Sequence, residues 1–145
     1  MADVYGPKGL MEVVAGGRKP PNCDLTLQID PVYADGGLAR GVWTIDEKFV
    51  NGIGVCMGGY LAAAADTMMA YAIASSLSEH QTFSTIDLHT TFHRPAFVGT
   101  AEIEAKVERM GKRVAYLVAD VTQNGKKVVS AVSSVMVTEA PSPGR

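Results

Sequence analysis

The sequence has few cysteines and no excess of charge of either sign. Cys23 and Cys56 are its only cysteines. They are too few for a disulfide framework and lack the spacing of a metal site, so we expect free thiols and a cytoplasmic protein. Thirteen lysines and arginines stand against fifteen acidic residues, for a net charge of −2. Because nucleic-acid-binding domains carry a clustered basic excess, this balance argues against a nucleic-acid partner.

The sequence also lacks a long run rich in leucine, isoleucine and valine. Residues 58–77 approach membrane-spanning length, but they consist largely of Ala, Gly and Ser with Asp66 among them. They therefore predict a buried helix rather than a membrane span, and no membrane partner is expected. Residues 1–14 show no basic segment followed by an apolar one, so we expect no signal peptide.

The patterns that are present predict two helices and six strands. Residues 7–15 predict a short helix, and residues 58–77 predict a long one. Alternating apolar and polar residues predict strands at 23–32, 38–45, 82–94, 101–108, 114–122 and 128–138. The pattern indicates an α+β fold in which an antiparallel sheet wraps one long central helix. We expect a single domain over 1–145, with an N-terminal segment at 1–22 and a disordered tail at 139–145.

Several short motifs lie around the long helix. They are Asn51, Gly54, the Gly58–Gly59 pair and Asp66, the strand end Arg94–Pro95, and the segment 107–113. Together they resemble the hotdog-fold superfamily and, within it, the PaaI-like acyl-CoA thioesterases, over residues 25–138. The resemblance implies hydrolysis of acyl-CoA to free acid and coenzyme A without a cofactor. It also implies homodimers, often paired into homotetramers, with sites at the subunit interface. One position departs from the pattern, since Met57 stands where the family usually has a histidine.

Asp66 is the only acidic residue between positions 49 and 78. A carboxylate in such apolar surroundings costs several kcal/mol if it stays charged and unpaired, so a function is expected to offset that cost. The resemblance implies that Asp66 is the catalytic carboxylate, acting either as nucleophile or as general base. The alternative is a structural acid held by a hydroxyl group such as that of Thr67.

Gly58 and Gly59 stand at the predicted start of the long helix. Free N–H groups there suit a developing oxyanion, and Gly58 lets a thioester approach the backbone closely. Alternatively, both glycines only permit close helix packing. Gly58 and Asp66 lie eight residues apart, about 12 Å along a helix, so one carbonyl carbon cannot contact both. If both act, they come from different subunits, and the protein is an obligate homodimer.

Asn51 and Thr85 are further catalytic candidates that the resemblance implies. Asn51 would hydrogen-bond the substrate or the attacking water, unless it serves only as a turn residue beside Gly52. Thr85 would support the acid or the water, provided that its strand face lines the dimer interface. Strict alternation within 82–94 groups Thr85 with Asp87, His89 and His93, opposite Ile86, Leu88 and Phe92.

The remaining candidates are binding residues. Expected contacts to substrate or coenzyme A are Met57, Gly59, Arg94, Arg109, Lys112 and Arg113, of which the cations suit phosphates. Candidates to surround the acyl group are Tyr60, Met68, Met69, Tyr71 and Phe92. Cys56 has no basic neighbour in sequence and is not expected to be a nucleophile. His89 and His93 lack a third ligand at suitable spacing, so no metal is expected.

A non-catalytic acyl-CoA-binding or sensor protein of the same fold is the alternative function. Met57 in the histidine position is the feature that favours it. A hotdog dehydratase or hydratase ranks lower, because such enzymes use a histidine with an acid. No histidine lies on the long helix or on the loop before it.

Overall fold

A 17-residue helix lies on the concave face of a seven-stranded sheet in the computed structural model, which describes residues 3–141. This helix is α3 (Gly58–Ala74), and it follows α1 (Pro7–Val14), α2 (Asn22–Leu27) and a single 3-10 turn (Glu47–Phe49). The strands are β1 (Ile29–Asp35), β2 (Leu38–Ile45), β3 (Gln81–Thr85), β4 (His89–Phe92), β5 (Gly99–Met110), β6 (Val114–Gln123) and β7 (Lys126–Glu139).

The strands follow the order β1-β2-β5-β6-β7-β3, and β4 pairs with β7 beyond the end of β3. Every pairing is antiparallel. The predicted α+β architecture, one long helix wrapped by an antiparallel sheet, is therefore confirmed. So are the short helix predicted at 7–15 and the hairpin at Asn124–Gly125, where both residues have positive φ.

The inner face of α3 packs directly against the centre of the sheet. Ala64, Ala65 and Met68 have no exposed surface, and the small alanine side chains let the helix axis approach the strands closely. Gly41 on β2 marks the tightest point, because a Cβ atom there would lie 2.6 Å from the sulfur of Met68. A side chain at residue 41 would therefore displace the side chain of Met68, which packs against the Gly41 backbone.

The opposite face of α3 is only partly covered by the chain. We call it the outer stripe, and it consists of Gly59, Ala62, Ala63, Asp66, Thr67 and Ala70. These residues recur every three or four positions and therefore form one continuous band along the helix. All but Asp66 and Thr67 are glycine or alanine, so the outer stripe is smooth and close to the backbone.

The first half of the strand predicted at 23–32 is the helix α2, so that prediction is wrong there. Pro20 and Pro21 precede the helix, and Gln28 ends it in the left-handed conformation at φ 64°. The alternation of Leu25, Leu27 and Ile29 could not distinguish the two structures, because a six-residue helix spans less than two turns. Only residues from Ile29 onward form strand β1.

The strand predicted at 82–94 is interrupted by a β-bulge. Thr85 pairs with Val135 and His89 with Val132, so one more residue lies on this strand than on its partner. At the break, the carboxylate of Asp87 accepts a hydrogen bond from the backbone N–H of Ser134 at 2.8 Å. After the extra residue, each side chain lies on the opposite side of the sheet from the one that strict alternation predicts. Thr85 and Phe92 therefore lie on the same side of the sheet rather than on opposite sides as predicted.

The predicted C-terminal tail begins at the last residue of β7, Glu139, and residues 142–145 lie outside the described part of the chain. Within residues 3–141, no helix combines the length and the apolar character needed to cross a membrane.

A buried pair of polar side chains joins α2 to α3. Asp24, 2% exposed, accepts a hydrogen bond from the hydroxyl of Tyr71 at 2.5 Å. The Cys23 thiol lies 3.4 Å from the other carboxylate oxygen, within the range of a weak hydrogen bond. Burial is the main cause that raises the pKa of Asp24, and the two hydrogen bonds oppose the rise. The N-terminal segment is thus held to the central helix through a buried acid.

This burial predicts a pH-dependent contribution of Asp24 to stability. The pKa is higher in the folded than in the unfolded chain, so the carboxyl contributes most below its unfolded pKa, and that contribution is lost as the pH rises through the folded pKa. Asp24→Asn keeps an acceptor for Tyr71 without the titration. We expect its unfolding free energy, relative to that of the natural chain, to increase between about pH 4 and about pH 7.

Urea unfolding at the two pH values measures this difference. Asp30→Asn, at an exposed position on β1, is the matched control. A difference between Asp24→Asn and the natural chain that stays constant with pH would contradict the prediction.

Candidate active site

The first two residues of α3 offer free backbone N–H groups. Within residues 3–141, neither Gly58 N nor Gly59 N has a hydrogen-bond acceptor. The N-cap residue is Met57, whose thioether makes no capping bond, so the N–H of Gly59, which a Ser, Thr, Asp or Asn side chain at this position could occupy, is free as well. The N–H groups and the positive end of the helix dipole are therefore available to an anion or a polarised carbonyl oxygen.

Asn51 holds the loop that leads into this helix. Its Oδ1 accepts hydrogen bonds from the N–H groups of Ile53 at 3.0 Å and Val55 at 3.4 Å. Gly54, at φ +87°, makes the turn possible. Asn51 therefore does stabilise a turn, as the alternative interpretation of the sequence predicts. Its Nδ2, however, donates no hydrogen bond within the described chain. That amide group remains available to a ligand.

A groove of about 410 Å³ opens beside the start of α3. It is lined by Asn51, Val55, Cys56, Gly58, Leu61, Phe92, His93, Arg94 and Pro95. Phe92 covers Gly58, because a Cβ atom on Gly58 would lie 3.0 Å from the ring carbon Cζ. We call this the Gly58 groove. It brings together four of the predicted site residues: Asn51, Gly58, Phe92 and Arg94.

Asp66 lies on the outer stripe, eight residues beyond Gly58 and about 12 Å farther along α3. It does not line the Gly58 groove. Burial raises the pKa of its carboxyl. Within residues 3–141, the carboxylate has no hydrogen-bond or ion-pair partner, and Thr67 instead donates to the carbonyl oxygen of Ala63 at 2.8 Å. The alternative of a structural acid held by Thr67 is therefore wrong.

Thr85 is the exposed last residue of β3. Its pairing partner Val135 is buried beneath the sheet, and directly paired residues lie on the same face. Thr85 therefore lies on the concave face that carries α3, at a point that the helix of its own subunit leaves uncovered.

The predicted phosphate contacts fall into separate places. The Arg94 guanidinium lies at the Gly58 groove and donates to the carbonyl oxygen of Lys127 at 2.7 Å. Lys112 and Arg113 line a different groove, next to Thr138. Lys127, beside Arg94, and Thr138, beside Lys112 and Arg113, are eleven residues apart on β7, about 36 Å. Arg109 is exposed on β5. One subunit therefore does not bring these cations together, and their contacts with the phosphates of coenzyme A stay a prediction.

Three of the residues expected to surround the acyl group belong to the core. Met68, Met69 and Tyr71 are almost completely buried between α3 and the rest of the chain, so they cannot line an open site. Tyr60 packs its ring on Phe49, with centroids 4.7 Å apart. Only Phe92, 53% exposed, lines the Gly58 groove.

Two further side chains of the Gly58 groove, those of Cys56 and His93, carry reactive groups. Burial raises the pKa of the Cys56 thiol to about 11, which leaves little thiolate near neutral pH. His93 is a groove residue that sequence patterns did not select, and its Nε2 lies 2.7 Å from the hydroxyl of Ser130. No cluster of three metal-ligating side chains occurs within residues 3–141.

Comparisons with known proteins identify the family of the chain. The sequence pattern of the thioesterase superfamily matches residues 53–130. A candidate esterase of Pseudomonas aeruginosa is 35% identical over 92 residues, which are 63% of this chain and 68% of that protein.

Two solved structures are also similar. One is a candidate thioesterase of Ralstonia eutropha described as a phenylacetic acid degradation-related protein, with a TM-score of 0.83 and 28% identity over 88% of this chain and 98% of that one. The other is the Escherichia coli PaaI protein from the phenylacetic acid degradation operon, with a TM-score of 0.79 and 25% identity over 91% and 95% of the two chains. The chain belongs to the thioesterase superfamily, with a hotdog fold of the PaaI-like kind.

Proposed function

We propose that the protein hydrolyses an acyl-CoA thioester to the free acid and coenzyme A, at a site shared by two copies of the chain. The observation that carries the proposal is the half-buried carboxylate of Asp66, unpaired within residues 3–141, on the same helix as the free N–H groups of Gly58 and Gly59. Thioester hydrolysis needs both a group that attacks or activates water and donors for the oxyanion.

In the proposed reaction, the thioester carbonyl oxygen accepts a hydrogen bond from the N–H of Gly58. Water attacks the carbonyl carbon as Asp66 takes its proton, or Asp66 attacks first and water then hydrolyses the resulting anhydride. The C–S bond breaks, and the sulfur leaves with the electron pair as the coenzyme A thiolate. Asn51 donates from Nδ2 to the substrate or the water. All atoms come from the thioester and one water, so the reaction uses no cofactor.

The distance between Gly58 and Asp66 supports a homodimer. Two antiparallel copies of α3 related by a two-fold axis near Ala62 would bring Gly58 of one copy opposite Asp66 of the other, because residue 62 lies midway between them. The outer stripe at the crossing is alanine and glycine, which allows two helix backbones to approach closely. Thr85, on an uncovered part of the concave face, would then border the same interface.

Coenzyme A would meet the protein first at Arg94, which lies at the Gly58 groove and suits a phosphate group. Arg109, Lys112 and Arg113 would take part only from another subunit. The proposal includes a cytoplasmic location, which the free thiols of Cys23 and Cys56 support.

Replacing Asp66 tests the catalytic carboxylate. Asp66→Asn keeps the size of the side chain but can neither attack nor accept a proton, so we expect thiol release from a panel of acyl-CoAs to fall about 100-fold or more. Asp30→Asn is the matched control at an exposed site. Unchanged turnover in Asp66→Asn would contradict the assignment. Tight acyl-CoA binding without thiol release by the natural chain would instead favour the sensor alternative, which Met57 supports.

Removing the N–H of Gly58 tests the oxyanion donor. Proline is favoured at the first helical position, and Met57, at φ −63° and ψ 137°, has the conformation required before a proline. Gly58→Ala is the matched control, since both variants add a Cβ atom against Phe92 but only Gly58→Pro loses the donor. We expect the Pro variant to release thiol about 100-fold more slowly than the Ala variant. Equal rates in the two variants would contradict a role for this N–H.

Mixed dimers test whether two subunits share the site. Gly58→Pro and Asp66→Asn chains, co-expressed with different affinity tags, give heterodimers in which one of the two shared sites keeps both natural residues. We expect these heterodimers to recover about half of the natural rate per dimer, since a two-fold interface contains two equivalent sites. Heterodimers as inactive as either parent would mean that each site belongs to a single chain.

A further inference from the structure

We infer that Phe92 sets the size of the acyl group that this enzyme accepts, an inference that rests on the proposed hydrolysis of acyl-CoA. Phe92 is the last residue of β4, and its partner on β7, Val129, is completely buried. The Phe92 ring therefore lies on the concave side of the sheet, toward α3. It nevertheless keeps 53% of its surface exposed, because it lies in the wall of the Gly58 groove.

The ring touches the point at which the thioester is proposed to react. A Cβ atom on Gly58 would lie 3.0, 3.2 and 3.5 Å from three of its carbons. The ring thus packs on the backbone of the residue whose N–H is the proposed oxyanion donor. A thioester carbonyl carries two substituents, the acyl chain and the coenzyme A arm. When the carbonyl accepts a hydrogen bond from that N–H, one of the two lies beside Phe92.

Two hydrogen bonds to backbone carbonyl groups of β7 hold the ring in this position. The residue after Phe92, His93, donates its N–H to the carbonyl oxygen of Val128 at 2.9 Å. The Arg94 guanidinium bonds the carbonyl oxygen of Lys127. Because the chain is tied to β7 on this side, movement of β4 cannot easily widen the groove. The width beside Gly58 therefore depends on the side chain at position 92.

The groove walls indicate which substituent of the thioester lies beside the ring. Phe92, Leu61 and Val55 form an apolar part, whereas Asn51, His93 and Arg94 supply polar and cationic groups. A hydrocarbon acyl chain has no polar atoms beyond the carbonyl, while the coenzyme A arm carries amides and phosphates. Matching each arm to the wall of like chemistry puts the acyl chain beside Phe92 and the coenzyme A arm toward Arg94.

A series of straight-chain acyl-CoAs, from acetyl to decanoyl, tests the inference by thiol release. Phe92→Ala removes the wall, and we expect the ratio of kcat/KM for long over short chains to rise at least about ten-fold. Phe92→Trp enlarges the wall and should lower the same ratio. Phe97→Ala is the matched control, because Phe97 is also 53% exposed but does not line the Gly58 groove. It should leave the ratio unchanged.

Two outcomes separate the possible failures. If the natural chain releases thiol but Phe92→Ala and Phe92→Trp change the rates for all chain lengths by one common factor, the inference about Phe92 is overturned while the proposed function stands. In that case the inhibition constant of free coenzyme A should change with the same variants, since the ring would lie beside the coenzyme A arm. If the natural chain releases no thiol from any member of the series, the proposed function itself fails.

Discussion

Close packing between α3 and the sheet is the constraint on which the other features depend. Ala64 and Ala65 are completely buried, and Gly41 leaves space for Met68, so the helix lies directly on the strands. This contact fixes the position of the first turn of α3 relative to the strands. As a result, Phe92 on β4 packs over Gly58. It also leaves Asp66 on the far side of the helix, where the chain itself offers no partner within residues 3–141. The groove and the unpaired acid are thus consequences of one packing arrangement.

Features that depend on neighbouring residues could be predicted from the sequence. The long helix follows from its alanine content and the absence of strand alternation, and the last hairpin follows from Asn124–Gly125, which adopts positive φ at both positions. Asp66 could be selected because no other carboxyl lies near it in the sequence. In each case the information lies within one element or one turn, where periodicity and local backbone preference decide the structure.

Features that depend on distant residues could not be predicted. α2 occupies a segment whose sequence predicts a strand, and its Asp24 takes its hydrogen-bond partner, Tyr71, from a position 47 residues away. The β-bulge before β4 depends on Asp87 bonding Ser134, again 47 residues away, and it reverses the face of Phe92. Likewise, the spacing of the cationic residues in the sequence does not predict that Arg94 and Arg113 lie near opposite ends of β7. Non-local contacts of this kind determine which residues share a site.

The N-terminus of α3 lacks a side-chain cap, because its N-cap residue is Met57. A serine or aspartate at this N-cap position would accept a hydrogen bond from the N–H of Gly59 or Tyr60 and typically stabilise a helix by about 1 kcal/mol. An aspartate there would also place a negative charge beside the N–H of Gly58, where it would oppose the charge that develops on a thioester carbonyl oxygen, so this stabilising substitution would act against the proposed reaction. The start of α3 is therefore a place where selection for thermal stability and selection for activity favour different residues.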